Sequence, residues 1–231
     1  FRSHIDWNVT ARIGKVHIRE FVTEKENNLD IIIDISPHMQ FASFWRFKYF
    51  LAVEIMALIS FAAELKGEKL AYWFFGENLN NFHYLQGNNS SNIISKALNF
   101  VCEDHGVAYL SWQNNLEHIL LNYKNMQNSR AVLFIITDLS RLLIEFNNVI
   151  ESLLINIGRK KNIILVDIYD NFETSPPKNG VFSLSNYSSM DQYIDFSENN
   201  ATVNYHNMLD EFQENLNIFC RRNSIFRISL P

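Results

Sequence analysis

Glycine and cysteine are scarce in this chain of 231 residues, with seven of the first and two of the second. Phosphate-cradling loops need closely spaced glycines, and neither GxGxxG after a strand nor GxxxxGK[ST] occurs, so nucleotide-binding readings fall away. Cys102 and Cys220 cannot build a disulfide framework, and their separation fits no zinc pattern. Reduced thiols of this kind favour the cytoplasm. Seven histidines form no HxxxH or HExxH pair, so a zinc hydrolase is not indicated. Positive charge is in deficit as well: 20 Lys and Arg stand against 25 Asp and Glu. A nucleic-acid binder held by phosphate charge needs the opposite balance. Long apolar runs are missing too. The most apolar stretch, Phe50 to Leu65, carries Glu54 and falls short of the roughly 20 residues a membrane span requires. The chain opens on Phe1 rather than Met, which we read as the mark of a fragment. A signal peptide or membrane anchor upstream would lie outside it.

What is present is a globular composition, 47% hydrophobic, with strands and helices in alternation. Leu29–Ile35, Lys69–Phe75, Ala131–Thr137 and Asn162–Ile168 are short, β-branched or aromatic runs suited to strands buried on both faces. Asn81–Leu85 reads as a hairpin partner for the second run, and Ile225–Ser229 as a closing strand. The connectors show helical spacing. Phe44–Lys66 is apolar nearly all round, with Arg46, Glu54, Ser60 and Glu64 as a thin wet stripe. Ile93, Ile94, Ala97, Leu98 and Val101 define a second helix, and Trp112, Leu116, Ile119, Leu120 and Tyr123 a third. A fourth runs from Leu142 through Leu154 and stops at Gly158 in a C′-like position. The last shows Tyr205, Met208, Leu209, Phe212, Leu216 and Phe219 on one face. Such alternation predicts an α/β fold with a mostly parallel sheet and helices on both faces. We expect a lead segment over residues 1–28, then one domain over 29–231 with a small β insertion near 180–196.

In open parallel sheets, ligands sit beyond the C-terminal strand ends, where strand order reverses. Asp34-Ile35-Ser36-Pro37-His38-Met39 closes the first buried strand and Thr137-Asp138-Leu139-Ser140 the fourth. Two aspartates and a serine converging there suit a hard divalent cation, since Mg²⁺ takes a few oxygens and keeps several waters. The plainer alternative is that Asp34 and Asp138 cap the helices that follow them.

Two stretches are specific enough to carry a resemblance. One is His4-Ile5-Asp6-Trp7-Asn8-Val9-Thr10-Ala11-Arg12, continuing through Arg19-Glu20-Phe21; the other is Asp34-Ile35-Ser36 with Met39 and Phe41-Ala42 behind it. Together with Ala131–Asp138 and the terminal helix and strand, they resemble the bacterial and archaeal family called domain of unknown function 58. That family is similar to von Willebrand factor A (vWA) domains. The resemblance implies a Rossmann-type sheet of order 3-2-1-4-5-6 and a metal-ion-dependent adhesion site. Carried over, Asp34, Ser36 and Asp138 match that site. His38 stands in place of its second serine, and Asn114 in place of its threonine. Mg²⁺ or Mn²⁺ is the implied ion, and imidazole suits softer metals than Mg²⁺. Trp7 is expected to pack against the sheet, with Asp6 and Arg12 pairing or bonding backbone. An exposed docking role for the segment is the sharper alternative.

The remaining features have plain explanations. Cys102 and Cys220 lie on apolar helix faces as small hydrophobes, and His105 near Cys102 is a weak hint of anything more. Arg159-Lys160-Lys161 and Arg221-Arg222 sit at helix ends, where cations complement the dipole. Phe44, Trp45, Phe47, Tyr49 and Phe50 crowd one helix start, most of them core and some available to a partner. The expected function is a non-enzymatic protein-interaction module. The resemblance implies a MoxR-type AAA+ ATPase as partner and a role in assembly or maturation of other proteins. Two rivals are a metal-free scaffold of the same fold, and a metal-dependent hydrolase centred on Asp34, His38 and Asp138. A cytoplasmic place is expected, with anchoring through an upstream segment left open.

Overall fold

The computed structural model describes residues 12, 28–43, 47–76, 83–87, 90–102, 112–125, 131–141, 148–175, 180–184, 192–196 and 199–231. Asp6, Trp7, Trp45 and His105 lie outside the described residues. In chain order the strands are β1 (Asn28–Asp34), β2 (Lys69–Phe75), β3 (His83–Gly87), β4 (Ala131–Thr137), β5 (Asn162–Ile168), β6 (Val181–Leu184), β7 (Gln192–Asp195) and β8 (Phe226–Leu230). The helices are α1 (Lys48–Leu65), α2 (Ser90–Cys102), α3 (Trp112–Asn125), α4 (Asn148–Gly158), the single turn α5 (Asn171–Thr174) and α6 (Asn199–Arg222). One-turn 3-10 helices cover Pro37–Gln40 and Leu139–Arg141.

Six strands form one sheet in the order β3-β2-β1-β4-β5-β8, which is 3-2-1-4-5-6 when its own strands are counted. All neighbours are parallel except the edge strand β3, which runs antiparallel to β2. β6 and β7 make a separate antiparallel pair. That strand order is the one the vWA resemblance implies. β1 sits at the centre, and its side chains alternate between two cores. Leu29, Ile31 and Ile33 join Met56 and Ala63 of α1 and Ile94 and Ala97 of α2. Ile32 faces Leu116, Ile119 and Tyr123 of α3, Leu153 of α4 and Leu216 of α6. Ile31, Ile32 and Ile33 are fully buried, each contributing about 1.5–3 kcal/mol. Strand order reverses beside β1, since β2 lies on one side and β4 on the other. The ends of β1 and β4 therefore form the crevice.

Several expectations need correction. The edge strand runs on two residues past the expected end at Leu85, residues 81 and 82 lie outside the described residues, and β8 is displaced by one. Helix α1 starts at Lys48, because Phe47 is extended (ψ 143°). Of the expected wet stripe, Glu54 is exposed, Glu64 is half-buried and Arg46 lies outside the described residues, but Ser60 departs from it. Ser60 is fully buried, donating to Met56 O (2.6 Å) and accepting from the Tyr72 hydroxyl (2.7 Å). Phe47, Phe50, Leu58, Phe61 and Leu65 are exposed as well. The aromatics at the helix start are thus partly surface. Gly158 is the last residue of α4 and keeps an ordinary negative φ. The left-handed stop belongs to Gly67 (φ 69°) after α1, where Gly67 N and Glu68 N donate to Glu64 O and Ala63 O.

Candidate functional site

Asp34 ends β1 and Thr137 ends β4, one strand over, so the ladder sets the two side chains beside each other. The Thr137 hydroxyl donates to Asp34 Oδ2 (2.7 Å) and the Ser36 amide to Oδ1 (2.9 Å). Asp138 repeats the motif one strand over: its Oδ1 accepts from the Ser140 amide (2.8 Å) and hydroxyl (2.6 Å). Each aspartate thus bonds the amide two residues on, beside a one-turn 3-10 segment rather than at the start of the longer helix expected to be capped. Ser36 is fully buried, caps its 3-10 turn without a side-chain bond, and its Oγ has no hydrogen-bond partner.

The other oxygen of Asp138 meets a residue the sequence reading passed over. Lys48 Nζ lies 2.6 Å from Asp138 Oδ2 and 2.7 Å from Glu173 Oε1. Lys48 and Asp138 side chains are each 3% exposed. Burial works against the charge of Lys48, but Asp138 and Glu173 outweigh it and hold the ammonium above the usual lysine range. Burial and then Asp138 push Glu173 above the usual carboxyl range, against the pull of Lys48. The Phe41 ring lies 5.4 Å from Nζ.

Glu173 is positioned by a capping box at α5, donating nothing and accepting from the Asp170 amide (2.9 Å) while Asp170 Oδ1 accepts from Phe172 N (2.8 Å). Asp170 Oδ2 also accepts from the Ser43 amide (2.9 Å). Burial alone would raise the Asp170 carboxyl, yet these donors bring it below its usual range. The Tyr205 hydroxyl donates to Glu173 O (2.7 Å), tying α6 to the same corner. A cavity of about 170 Å³ opens beside it, lined by Phe47, Lys48, Leu51, Tyr169 and Asp170 among others.

The structure thus gathers Asp34, Ser36 and Asp138 at neighbouring strand ends. His38 lies half-buried on the 3-10 turn after Ser36. The backbone of Asn114 belongs to the first turn of α3, and its side chain lies outside the described residues. Fit to a divalent ion is mixed. The orphaned Ser36 Oγ is a suitable oxygen, but Asp34 and Asp138 direct all four oxygens at protein donors. Among the described residues, no three His, Cys, Asp or Glu side chains gather as a metal would need. As arranged, the residues do not fit the ion.

Thr137, Lys48 and Glu173 were missed by sequence reasoning. Lys48 had a signal: it shares the i, i+4, i+8 face of Ala52 and Met56, both buried. A second buried polar group lies at the far end of β1. Asp30 Oδ2 accepts from the Tyr123 hydroxyl (2.6 Å), with Lys161 Nζ at 4.0 Å and over the Tyr123 ring. Lys161 is therefore not the surface charge expected of it, whereas Arg159, Lys160, Arg221 and Arg222 are exposed. Cys220 is a buried free thiol, and the Cys102 side chain lies outside the described residues.

Comparison with known proteins accords with this fold. An aerotolerance-related membrane protein from Bacteroides fragilis NCTC 9343 is 7% identical, with 89% of this chain and 92% of that one covered at a TM-score of 0.50. The conserved hypothetical protein BatB from Bacteroides thetaiotaomicron is 8% identical over 88% and 90%, at 0.48. The SpRpn10 VWA domain is 16% identical over 62% and 75%, at 0.35. At such identities likeness bears on the fold alone. No curated protein matches the sequence. Residues 2–214 match the model of the family described as protein of unknown function DUF58, and the chain belongs to that family.

Proposed function

We propose that this chain is a protein-interaction module whose recognition platform is the set of loops after β1, β4 and β5. The observation that carries the reading is the bonded cluster at those ends. Asp34, Ser36, Thr137, Asp138, Lys48 and Glu173 are fixed by one another and by backbone amides. That network joins the described turns after these strands to buried side chains and backbone amides. Rigid loops bind partners with little ordering cost. His38, Gln40 and Phe41 stand on the outer side of the platform, half-buried or exposed.

The partner in this reading is a MoxR-type AAA+ ATPase, as the family resemblance implies, and the work is assembly or maturation of other proteins. Residues 1–28 are the lead segment and 29–231 the domain proper. Among the described residues no helix is long and apolar enough to cross a membrane. One structural neighbour is a membrane protein by name, so attachment near a membrane belongs to the proposal.

A second reading keeps a divalent ion, Mg²⁺ or Mn²⁺, at Asp34, Ser36, His38, Asn114 and Asp138. The observation favouring it is the buried, unbonded Ser36 Oγ. The hydrolase centred on Asp34, His38 and Asp138 has no such observation behind it. The test is co-purification of the tagged chain with the ATPase, using the surface variants Gln40→Arg and Phe41→Ala. Loss of the ATPase with thermal stability retained supports the platform; undiminished recovery with both variants refutes it.

A further inference from the structure

We propose that the strand-end site carries its own cation, the ammonium of Lys48, and serves without a divalent ion. The inference rests on the platform reading above and specifies what holds that platform together. Lys48 is the first residue of α1, and its placement runs against two ordinary preferences. Helix N-termini carry partial positive charge, which disfavours a cation there. Burial disfavours it again, and this residue is 4% exposed. What offsets both is the pair of charge-assisted bonds, 2.6 Å to Asp138 and 2.7 Å to Glu173. The lysine is placed for the carboxylates, not for its helix.

The same bonds set the ammonium in competition with a metal for Asp138. Its Oδ2 is taken by Nζ and its Oδ1 by Ser140, through both amide and hydroxyl. A divalent ion approaching Oδ2 would have to displace an ammonium already in contact at 2.6 Å and break its second bond, 2.7 Å to Glu173. Mg²⁺ also dehydrates reluctantly. The ammonium joins the β4 end to the loop after β5, so it supplies the bridging that an ion would otherwise supply. Removing it leaves Asp138 and Glu173 facing each other with no counter-charge, and such a pair attracts a cation from solution.

The experiment is Mn²⁺ titration by calorimetry and by electron paramagnetic resonance, on the chelator-stripped chain and on Lys48→Ala. The wild type should bind no Mn²⁺ at this site, and chelator should leave its thermal midpoint unchanged. Lys48→Ala should gain binding at least about ten-fold tighter than anything the wild type shows, and Mn²⁺ should raise its thermal midpoint. Wild-type binding that disappears in Asp138→Asn would overturn the proposal, as would a folded Lys48→Ala that binds no better than wild type. Should Lys48→Ala fail to fold in chelator, recovery of the fold on adding Mn²⁺ supports the proposal. The wild-type titration stands by itself in every case. Absence of ATPase binding would sink the platform reading and leave this titration unaffected.

Discussion

Replacing Tyr123 by Phe tests how the sheet tolerates a carboxylate at its centre. Asp30 is 2% exposed on the middle strand, and its firm donor is the Tyr123 hydroxyl at 2.6 Å. Lys161 lies at 4.0 Å, beyond hydrogen-bond range but close enough to attract. Tyr123→Phe keeps the ring, its edge contact with Trp73 and its place under Lys161. It removes one hydrogen bond to a charged acceptor, costing about 1.5–3 kcal/mol at neutral pH. For a chain of this size about 2–4 °C of thermal midpoint follows each kcal/mol, so the fall should be roughly 3–12 °C.

The pH dependence sharpens this prediction. Burial raises the Asp30 carboxyl above its unfolded value of 3.8, while Tyr123 and then Lys161 pull it down. A raised acid binds more protons folded than unfolded, so its ionisation costs stability as pH rises through that window. Losing Tyr123 removes a group that stabilises the ionised form, and the carboxyl rises further. The variant should therefore be most destabilised at pH 7–8 and approach the wild type as pH falls toward 3.8. Urea melts at several pH values measure both. A deficit that is the same at every pH, or a loss below about 0.5 kcal/mol at pH 7, would refute the reasoning.

Other substitutions separate core from surface. Arg227→Met should cost about 3–5 kcal/mol in urea unfolding, because it strands Asp167, which is 2% exposed and otherwise bonded to Leu139 N. Ile33→Ala, at a fully buried centre of the sheet, should cost about 2–5 kcal/mol. Phe50→Ser and Leu58→Ser should each stay within about 0.5 kcal/mol of wild type, since both residues face outward from α1. A large loss at either would mean that the helix packs against something on that side. Asp170→Asn tests the opposite titration sign: its lowered carboxyl gives stability that is full above the unfolded value of 3.8 and lost as pH falls through its folded value. The gap between variant and wild type should therefore close in acid.

The strands were legible because burial on both faces demands unbroken apolar runs, and Leu29–Ile35 or Ala131–Thr137 have few other uses. Strand ends were legible too, since sheet topology places Asp34 and Asp138 together wherever order reverses. The edge strand was legible as a partner of β2, but its far end was not. β3 has one neighbour and no two-sided burial, so nothing in Asn81–Leu85 fixes its register. Helix α1 misled for a different reason. A helix apolar all round has no preferred inner face, so its buried polar Ser60 looked like a surface residue. The site's cation was hidden by distance along the chain: Lys48 meets Asp138 across 90 residues and Glu173 across 125. Ion pairs of that kind leave no local spacing. Asp30 within an apolar strand was the visible half of one such pair, and Lys161, taken for a helix-end charge, was the other.

Under the proposed function, the strand-end platform binds a protein partner with Lys48 as its internal cation. The most direct measurement is a binding titration between this chain and the MoxR-type AAA+ ATPase, with and without chelator. The account predicts saturable binding whose affinity is unchanged by chelator and is lost in Gln40→Arg and Phe41→Ala. No binding under either condition, or binding that both platform variants retain, would contradict it.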